Sequence, residues 1–324
     1  MKKKILLFVS VSIVINLLEA ARHNDFKNLP LEKRSIVLKG IKEPVIFTLT
    51  HDPIDVVIPT IEKDLETLEL CIENIKKYGK NVRNIYVVSP RKLTSKAIWI
   101  DERIYPFSMK EVARNLFGND DVLDTYLKQG TQRIGWYFQQ LLKLYAPVVI
   151  PNISSNVLVL DSDTIFINPV SFMNELNEPF FCQGRLEEYH EGYFVQANSL
   201  IPGLNRVFPK ISGIAHHMIF QKDIIINFFN TIEKIHKKPA WQAICHCVPK
   251  KDRIIEDYGL SEFELYVNFV LAVSRQGHLR PLKWLEIKFH DKLGDYAKAG
   301  YHFISCHSFM RDMDGYLKGS ADLE

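Results

Sequence analysis

The stretch IDVVIPTIEKDLETLELCIENIKKYGKNVRNIYVVSP, residues 54–90, carries the pattern of an α/β fold. Its β-branched start ends at Pro59, which predicts a strand and its end. Apolar residues then recur at helical spacing from Leu65 to Ile75, before Gly79, and NIYVVSP predicts a second strand. Strand, helix and strand in so short a segment form a βαβ unit, which implies a parallel sheet with right-handed crossovers.

The same alternation continues along the chain. RIYPFS (103–108) predicts a short strand, MKEVARNLF a helix, and TQRIGWYFQQLLKLYAP a longer helix that ends before Pro147. Further strands are expected in VLVLDSDTIFINP, in IAHHMIF (214–220) and in YHFISCHSF, and further helices at 222–237 and in LSEFELYVNFVLAV. We therefore expect one large α/β domain with a mostly parallel central sheet and flanking helices.

Composition limits the function classes. The chain has 324 residues, of which 47% are hydrophobic, so it can bury a large core. Its net charge of +3 gives no sign of a polyanion-binding protein, and we expect no nucleic-acid partner. Five cysteines without C-x-x-C spacing predict neither a disulfide framework nor a zinc site, and CHC (245–247) does not favour one; a single disulfide stays open.

The first 21 residues, MKKKILLFVSVSIVINLLEAA, differ from the rest. A basic start, a short apolar core and small residues at the exit are typical of a secretory signal peptide. The alternative is a short anchor that associates with a membrane, although the apolar run is shorter than the roughly 20 residues of a spanning helix. Both alternatives favour an exported or endomembrane-lumenal protein over a cytoplasmic one. Residues 22–53 then form a lead-in, 54–310 the domain and 311–324 a tail.

VLVLDSDTIFINP, residues 157–169, places two carboxylates directly after a buried strand. Ligands of open parallel sheets bind beyond the carboxyl ends of the strands, where Asp161 and Asp163 are expected to lie. Residues two apart in an extended chain point to the same side, so both carboxylates reach one point. Such oxygen donors suit Mg²⁺ or Mn²⁺ bound to substrate phosphates. A solvated turn is the alternative, but apolar sequence on both sides favours the metal.

Three of these segments together resemble a known family. The strand that ends in Pro-Thr, GWYFQQLLKL (135–144) and VLDSDTIFINP (159–169) are similar to GT-A glycosyltransferases, in the group that includes bacterial capsule and lipopolysaccharide transferases. The resemblance, over about residues 54–310, implies a Rossmann-like domain. It also implies an Mn²⁺- or Mg²⁺-dependent enzyme that moves a sugar from a nucleotide diphosphate sugar to a hydroxyl of a glycan, lipid or protein. A nucleotidyltransferase would share this architecture.

The resemblance also implies roles for single residues. Asp163 would be the direct metal ligand, and Asp161 would lie nearer the ribose or a metal-bound water. Family members add a histidine after the last core strand; of His302 and His307 we choose His307, which follows the apolar run, although a hydrogen-bonded rim histidine is the alternative.

Two more segments are candidates for donor binding. Pro59 and Thr60 resemble the family's nucleoside-binding edge, although Thr60 could simply cap the next helix. On the long helix Arg133, Gln140 and Lys143 share a stripe with Trp136 and are expected at the diphosphate or donor sugar, where cations offset the charge of the leaving group. A solvated helix face is the alternative for this stripe.

An inverting transfer needs a base for the acceptor hydroxyl. In LSEFELY, Ser261 and Glu264 have capping-box spacing, which leaves Glu262 as the candidate base, or as a group that only complements the helix dipole. Of the adjacent His216 and His217 only one can face the site from a strand, and we assign His217 to the acceptor side. Two other functions stay open: a metal-dependent phosphoester hydrolase, and a non-catalytic carbohydrate- or nucleotide-binding protein with the same fold.

Overall fold

A computed structural model describes most of the domain. The described residues are Leu38, 43–118, 133–184, 189–209, 211–251, 254–255, 258–288 and 292–307. The segments 1–21 and 311–324, on which the leader and the tail are predicted, lie outside them. Among the described residues, none of the helices has the length and apolar character needed to cross a membrane.

Strands and helices alternate along the chain. The strands are β1 (Ile54–Pro59), β2 (Val82–Ser89), β3 (Ile98–Asp101), β4 (Asn156–Leu160), β5 (Thr164–Phe166), β6 (Phe180–Cys182), β7 (His217–Gln221), β8 (Lys250–Lys251), β9 (Ile254–Ile255), β10 (His278–Arg280), β11 (Trp284–Glu286) and β12 (Phe303–Ser305). The α-helices are α1 (Leu65–Tyr78), α2 (Met109–Phe117), α3 (Arg133–Val149), α4 (Glu191–Leu200), α5 (Lys222–His236), α6 (Ala240–His246), α7 (Glu262–Val273) and α8 (Leu293–Lys298).

The central sheet has the order β3-β2-β1-β4-β7. Its first four strands are parallel, and β7 runs antiparallel to β4. Every residue of β1, β4 and β7 is buried, as expected for strands covered by helices on both faces. The predicted single α/β domain with a mostly parallel, helix-flanked sheet is therefore confirmed.

Several local predictions were wrong. RIYPFS is not a strand: β3 ends at Asp101, and residues 102–104 form a 3₁₀ turn. Helix α3 passes through Pro147 and ends at Val149, because a proline within the last turn removes one hydrogen bond and leaves the apolar face packed. Thr60 does not cap α1; Asp64 precedes that helix, and the Thr60 hydroxyl donates to the Ile61 carbonyl.

A second, three-stranded sheet lies beside the end of β4. Its order is β11-β12-β5, with β12 parallel to β11 and antiparallel to β5. The register pairs Ser305 with both Glu286 and Thr164. The carboxyl ends of β11 and β12 therefore meet the start of β5, directly after the D-x-D segment.

The lead-in packs against the domain where it is described. The backbone N–H of Val45 donates to the Val273 carbonyl, and Phe47, which is buried, exchanges two hydrogen bonds with the side chain of Gln276. Val45 and Phe47 thus hold the lead-in against the end of α7. All five cysteines are free thiols, so the disulfide that the sequence left open is absent.

Candidate functional site

A cavity of about 650 Å³ opens at the carboxyl ends of the central strands. Pro59 and Thr60 after β1, Pro90 after β2 and Glu102 after β3 line one part of it. The D-x-D residues Asp161, Ser162 and Asp163 after β4 line it too, with Lys143, His216, Glu262 and His307. The crevice thus lies where parallel sheets bind their ligands.

Chain topology brings the two aspartates to charged partners. Because β7 runs antiparallel to β4, its start lies at the end of β4, and the Asp161 N–H donates to the His216 carbonyl at 3.0 Å. Because β12 ends beside the start of β5, the Nδ1 of His307 lies 2.9 Å from Oδ2 of Asp163. The Asp161 carbonyl also accepts from the Thr164 N–H, so the D-x-D segment is a turn with half-buried aspartates, and the predicted extended conformation was wrong.

Lys143 is the buried cation of the site. Its Nζ donates to Oδ1 of Asp161 at 2.5 Å and to Oε1 of Glu262 at 2.6 Å. Burial opposes the charged form of Lys143, but the two carboxylates outweigh it and raise its pKa above the ordinary value. Lys143 therefore joins the D-x-D turn to the start of α7.

Glu286 completes the cluster from the end of β11. Its Oε1 lies 3.7 Å from Nε2 of His216 and 3.6 Å from Nε2 of His307. Burial would raise its pKa, but the two imidazoles hold the pKa of Glu286 well below its usual range. We call Asp161, Asp163, His216, Glu286 and His307 the carboxylate–histidine cluster.

The cluster favours ionised side chains. Burial raises the pKa of a carboxyl, yet the charges of Lys143 and His216 hold that of Asp161 well below its usual range. Burial lowers the pKa of an imidazole, yet Asp163 and Glu286 raise the pKa of His307 to about 10. Burial also opposes the charged form of His216. Its contacts with Asp161 and Glu286 outweigh this effect and raise the pKa of His216. The carboxylates and imidazoles of the cluster therefore stabilise each other's charged forms.

Glu262 differs from the cluster carboxylates. Burial raises its pKa, the Lys143 charge offsets this only in part, and the nearby Asp161 adds to the rise. Its backbone N–H donates to Oε1 of Gln140, which is buried and lies behind the cavity wall. Gln140 therefore holds Glu262 in place, and the structure does not support its predicted contact with a donor.

Capping at the start of α7 follows half of the predicted pattern. The Ser261 hydroxyl accepts from the Glu264 N–H, as a capping box requires. The Glu264 carboxylate instead accepts from Arg206, Ser212 and Asn268, all inside the protein. Glu264 is structural, as expected, and Glu262 is the one of the two that lines the cavity.

His217 does not lie at the cavity, and its assignment to the acceptor side was wrong. Its ring packs against Phe166, Phe172 and Phe303, and its Nδ1 donates to the Ala215 carbonyl. Burial lowers the pKa of His217 to about 3. The adjacent His216 faces the cavity instead, because its backbone takes a left-handed φ of 59° at the start of β7.

Aromatic rings and Arg133 line another part of the cavity. His190 stacks on Tyr258 with centroids 3.8 Å apart, and Tyr193 packs edge-on against both rings. The guanidinium of Arg133 lies 5.2 Å from the rings of Trp136 and Tyr258. We call these five residues the aromatic wall.

The predicted stripe on α3 is therefore divided. Ten residues separate Arg133 from Lys143, about 15 Å along a helix. Arg133 lies in the aromatic wall, Lys143 at the cluster and Gln140 behind the wall. Arg133 and Lys143 nevertheless line the same cavity, so their contact with the diphosphate or the donor sugar stays a prediction.

Sequence reasoning missed Glu286 and the cavity-facing His216. Glu286 ends a three-residue strand, too short for a pattern, although the alternation in KWLEIKF was a usable signal. Choosing between His216 and His217 required knowing that β7 is antiparallel and that His216 has a positive φ.

The chain belongs to the family of unknown function DUF6492, which matches residues 51–287. No curated protein matches the sequence significantly. The matched segment begins just before β1 and ends just after Glu286, so it includes every residue of the cluster except His307.

Proposed function

We propose that this protein is a metal-dependent glycosyltransferase, which moves a sugar from a nucleotide diphosphate sugar to a hydroxyl of a glycan, lipid or protein. The observation that carries the proposal is the position of Asp161 and Asp163, at the carboxyl end of β4 on the floor of the cavity. That is the place where a D-x-D pair would meet a metal diphosphate.

The donor set fits a divalent cation. The cluster, Glu262 and Lys143 together hold four carboxylates and one ammonium, so their formal charge is −3 when both imidazoles are neutral, as metal ligands are. Nitrogen and oxygen donors lie 2.9–3.7 Å apart, close to the spacing of ligands that share one ion. A bound Mn²⁺ or Mg²⁺ would supply positive charge at the departing diphosphate.

Residues that line the cavity would position the donor and the acceptor. Pro59 and Thr60, at the end of β1, would contact the nucleoside. Glu262 would accept the proton of the acceptor hydroxyl, since a carboxyl with a raised pKa in a cavity suits a general base. Lys143 would fix Glu262 relative to Asp161, and with it the distance between base and donor.

A two-metal hydrolase is less well supported. Such sites need a second group of carboxylate or histidine ligands a few ångströms from the first. Within the part of the chain that the structure describes, one such group of three is present, namely His216, Glu286 and His307.

The test is calorimetric titration of UDP and of GDP into the purified protein, with Mn²⁺ and then with EDTA. We expect one nucleotide to bind only with the metal and to bind at least tenfold more weakly to Asp163→Asn. Asp52→Asn, which changes an exposed carboxylate at the opposite edge of the sheet, is the matched control and should bind normally. Binding of neither nucleotide to folded protein would refute the donor site.

Turnover separates an enzyme from a binding protein. With Mn²⁺ and the nucleotide sugar whose nucleotide binds, we expect slow hydrolysis or transfer, strongly reduced in Glu262→Gln although the nucleotide affinity is kept. Nucleotide binding without any turnover of the sugar donor would favour the non-catalytic alternative.

We also propose that residues 1–21 direct export or entry into an endomembrane lumen. Support comes from the basic start, apolar core and small residues of that segment. Amino-terminal sequencing of the protein recovered from its producing cells tests this. A start near residue 22 would indicate cleavage of a signal peptide, an intact membrane-bound chain would indicate an anchor, and an intact cytosolic chain would refute both.

A further inference from the structure

The two imidazoles of the cluster contact carboxylates through the same pair of ring nitrogens. The Nδ1 atoms face the D-x-D carboxylates: His307 lies 2.9 Å from Asp163, and His216 lies 3.4 Å from Asp161. The Nε2 atoms face a third carboxylate, Glu286, at 3.6 and 3.7 Å. The two rings themselves lie 4.7 Å apart, centroid to centroid.

This arrangement matches a recurring design of metal sites. A ligating histidine donates its other ring N–H to a carboxylate, which fixes the tautomer and the direction of the free nitrogen. Ligand atoms about 2.1 Å from one ion lie roughly 3.0–3.5 Å from each other at tetrahedral or octahedral angles. One ligand atom each from His216, Glu286 and His307 all lie within 4.8 Å of one another, so shifts of about 1 Å suffice to close the site.

We infer that Glu286 and the Nε2 atoms of His216 and His307 bind the divalent ion directly, and that Asp161 and Asp163 orient the two imidazoles. This reverses the expectation that Asp163 is the direct ligand. The inference rests on the divalent ion of the proposed function, but it does not require sugar transfer.

The backbone of His216 supports a specific role for this side chain. A left-handed φ of 59° is unfavourable for a residue that carries a Cβ, so the surrounding structure must hold His216 there. Its carbonyl accepts from the Asp161 N–H, which ties the strained residue to the D-x-D turn. The same local geometry that turns His216 into the cavity leaves His217 in the aromatic core.

Two imidazoles and one carboxylate also predict which ions bind. Such a set leaves positions open for substrate oxygens, and its nitrogen ligands favour later transition metals. We expect Co²⁺ and Zn²⁺ to bind more tightly than Mn²⁺, and Mn²⁺ at least tenfold more tightly than Mg²⁺. A site of carboxylates alone would bind Mn²⁺ and Mg²⁺ with similar affinity.

The deciding experiment is X-ray absorption of the wild-type protein loaded with one equivalent of Co²⁺, without nucleotide. Outer-shell scattering from two imidazoles is expected. Scattering from one imidazole or none would overturn the inference. No variant needs to fold for this result, and it is independent of any activity.

Matched variants identify the ligands by titration with Co²⁺ alone. Glu286→Gln should weaken binding more than 100-fold, whereas Asp163→Asn should weaken it about 10–100-fold and keep the two-imidazole spectrum. The opposite order would restore Asp163 as the direct ligand. Urea unfolding of each variant confirms that it is folded during the titration.

Different experimental results would refute this inference and the proposed function. Two imidazoles on Co²⁺ with no binding of UDP or GDP would keep the metal site and refute the transferase. Metal-dependent nucleotide binding with a spectrum of oxygen ligands only would keep the transferase and refute the ligand set.

Discussion

Two aspartate sites lie at opposite edges of the central sheet, and their carboxylates are satisfied in different ways. At the amino edge Asp55 accepts from the backbone N–H groups of Asn84 and Ser154 and from both Nε and Nη2 of Arg83. At the carboxyl edge Asp161 and Asp163 meet ionisable side chains and face a cavity. Backbone N–H groups and Arg83 satisfy the Asp55 carboxylate. A ligand in the cavity could rearrange the charged partners of Asp161 and Asp163.

The largest effect is expected from Lys143, because its side chain is 3% exposed whereas that of Arg83 is 40% exposed. Lys143→Met should lower the free energy of unfolding by about 3–5 kcal/mol, since it leaves Asp161 and Glu262 buried side by side. Arg83→Met should cost only about 1–2 kcal/mol, since Asp55 keeps two backbone donors. Urea unfolding of both variants at pH 7 measures the difference.

A double variant sharpens this result. Lys143→Met combined with Glu262→Gln removes one of the two facing carboxylates and should recover about half of the loss or more. Equal costs for Lys143→Met and Arg83→Met would contradict the distinction between the two edges.

The second prediction concerns Asp55 itself. Asp55→Ala leaves the N–H groups of Asn84 and Ser154 without their acceptor in a buried place, and it should cost about 3 kcal/mol of stability. Because Asp55 lies at the edge far from the cavity, the affinity of the folded variant for Mn²⁺ should stay within about twofold of wild type. Titration at 10 °C, after urea unfolding has shown that the variant is folded there, measures this; a tenfold loss would mean that the two edges are coupled.

The adjacent His216 and His217 show the same contrast, because His216 faces the cavity and His217 is buried among aromatic rings. Burial lowers the pKa of His217 to about 3, below the 6.5 of an unfolded histidine, so the unfolded chain binds more protons between these pH values. His217 therefore contributes stability that is complete above pH 6.5 and is lost as pH falls towards 3, by up to about 1.4 kcal/mol per pH unit. His217→Phe should remove this dependence.

The measurement is the slope of the free energy of unfolding against pH between 6.5 and 5. Only the slope is compared, so a constant cost of repacking against Phe166 and Phe303 does not affect it. Identical slopes in wild type and His217→Phe would show that His217 is not the titrating group.

Local signals in the sequence were enough for the parallel part of the fold. The βαβ pattern of residues 54–90 and the apolar run before Asp161 gave β1, α1, β2 and β4 within a few residues. The rule that ligands bind beyond the carboxyl ends of such strands then placed the D-x-D pair at a cavity.

The rest of the site depends on contacts between distant short strands. Glu286 reaches His307 because β11 and β12 pair in register, and each of these strands has only three residues. His216 reaches Asp161 because β7 is antiparallel to β4. Periodicity cannot show either pairing, so the carboxylate–histidine cluster could be predicted only in part.

The smallest predicted effect compares two helix caps. Ser261 caps α7 and lines the cavity, whereas Ser108 caps α2 in a complete capping box and does not line it, although the next residue, Met109, does. Ser261→Ala and Ser108→Ala should each cost about 1 kcal/mol of stability, since each leaves a first-turn N–H without its acceptor. Only Ser261→Ala displaces the first turn of α7, which carries Glu262 against Lys143. Turnover of the nucleotide sugar should therefore fall severalfold in that variant alone, at unchanged affinity for Mn²⁺. Equal turnover in the two variants would mean that Gln140 and Lys143 hold Glu262 without the cap. The loss of a helix cap at the cavity would then have no more effect than the same loss elsewhere in the molecule.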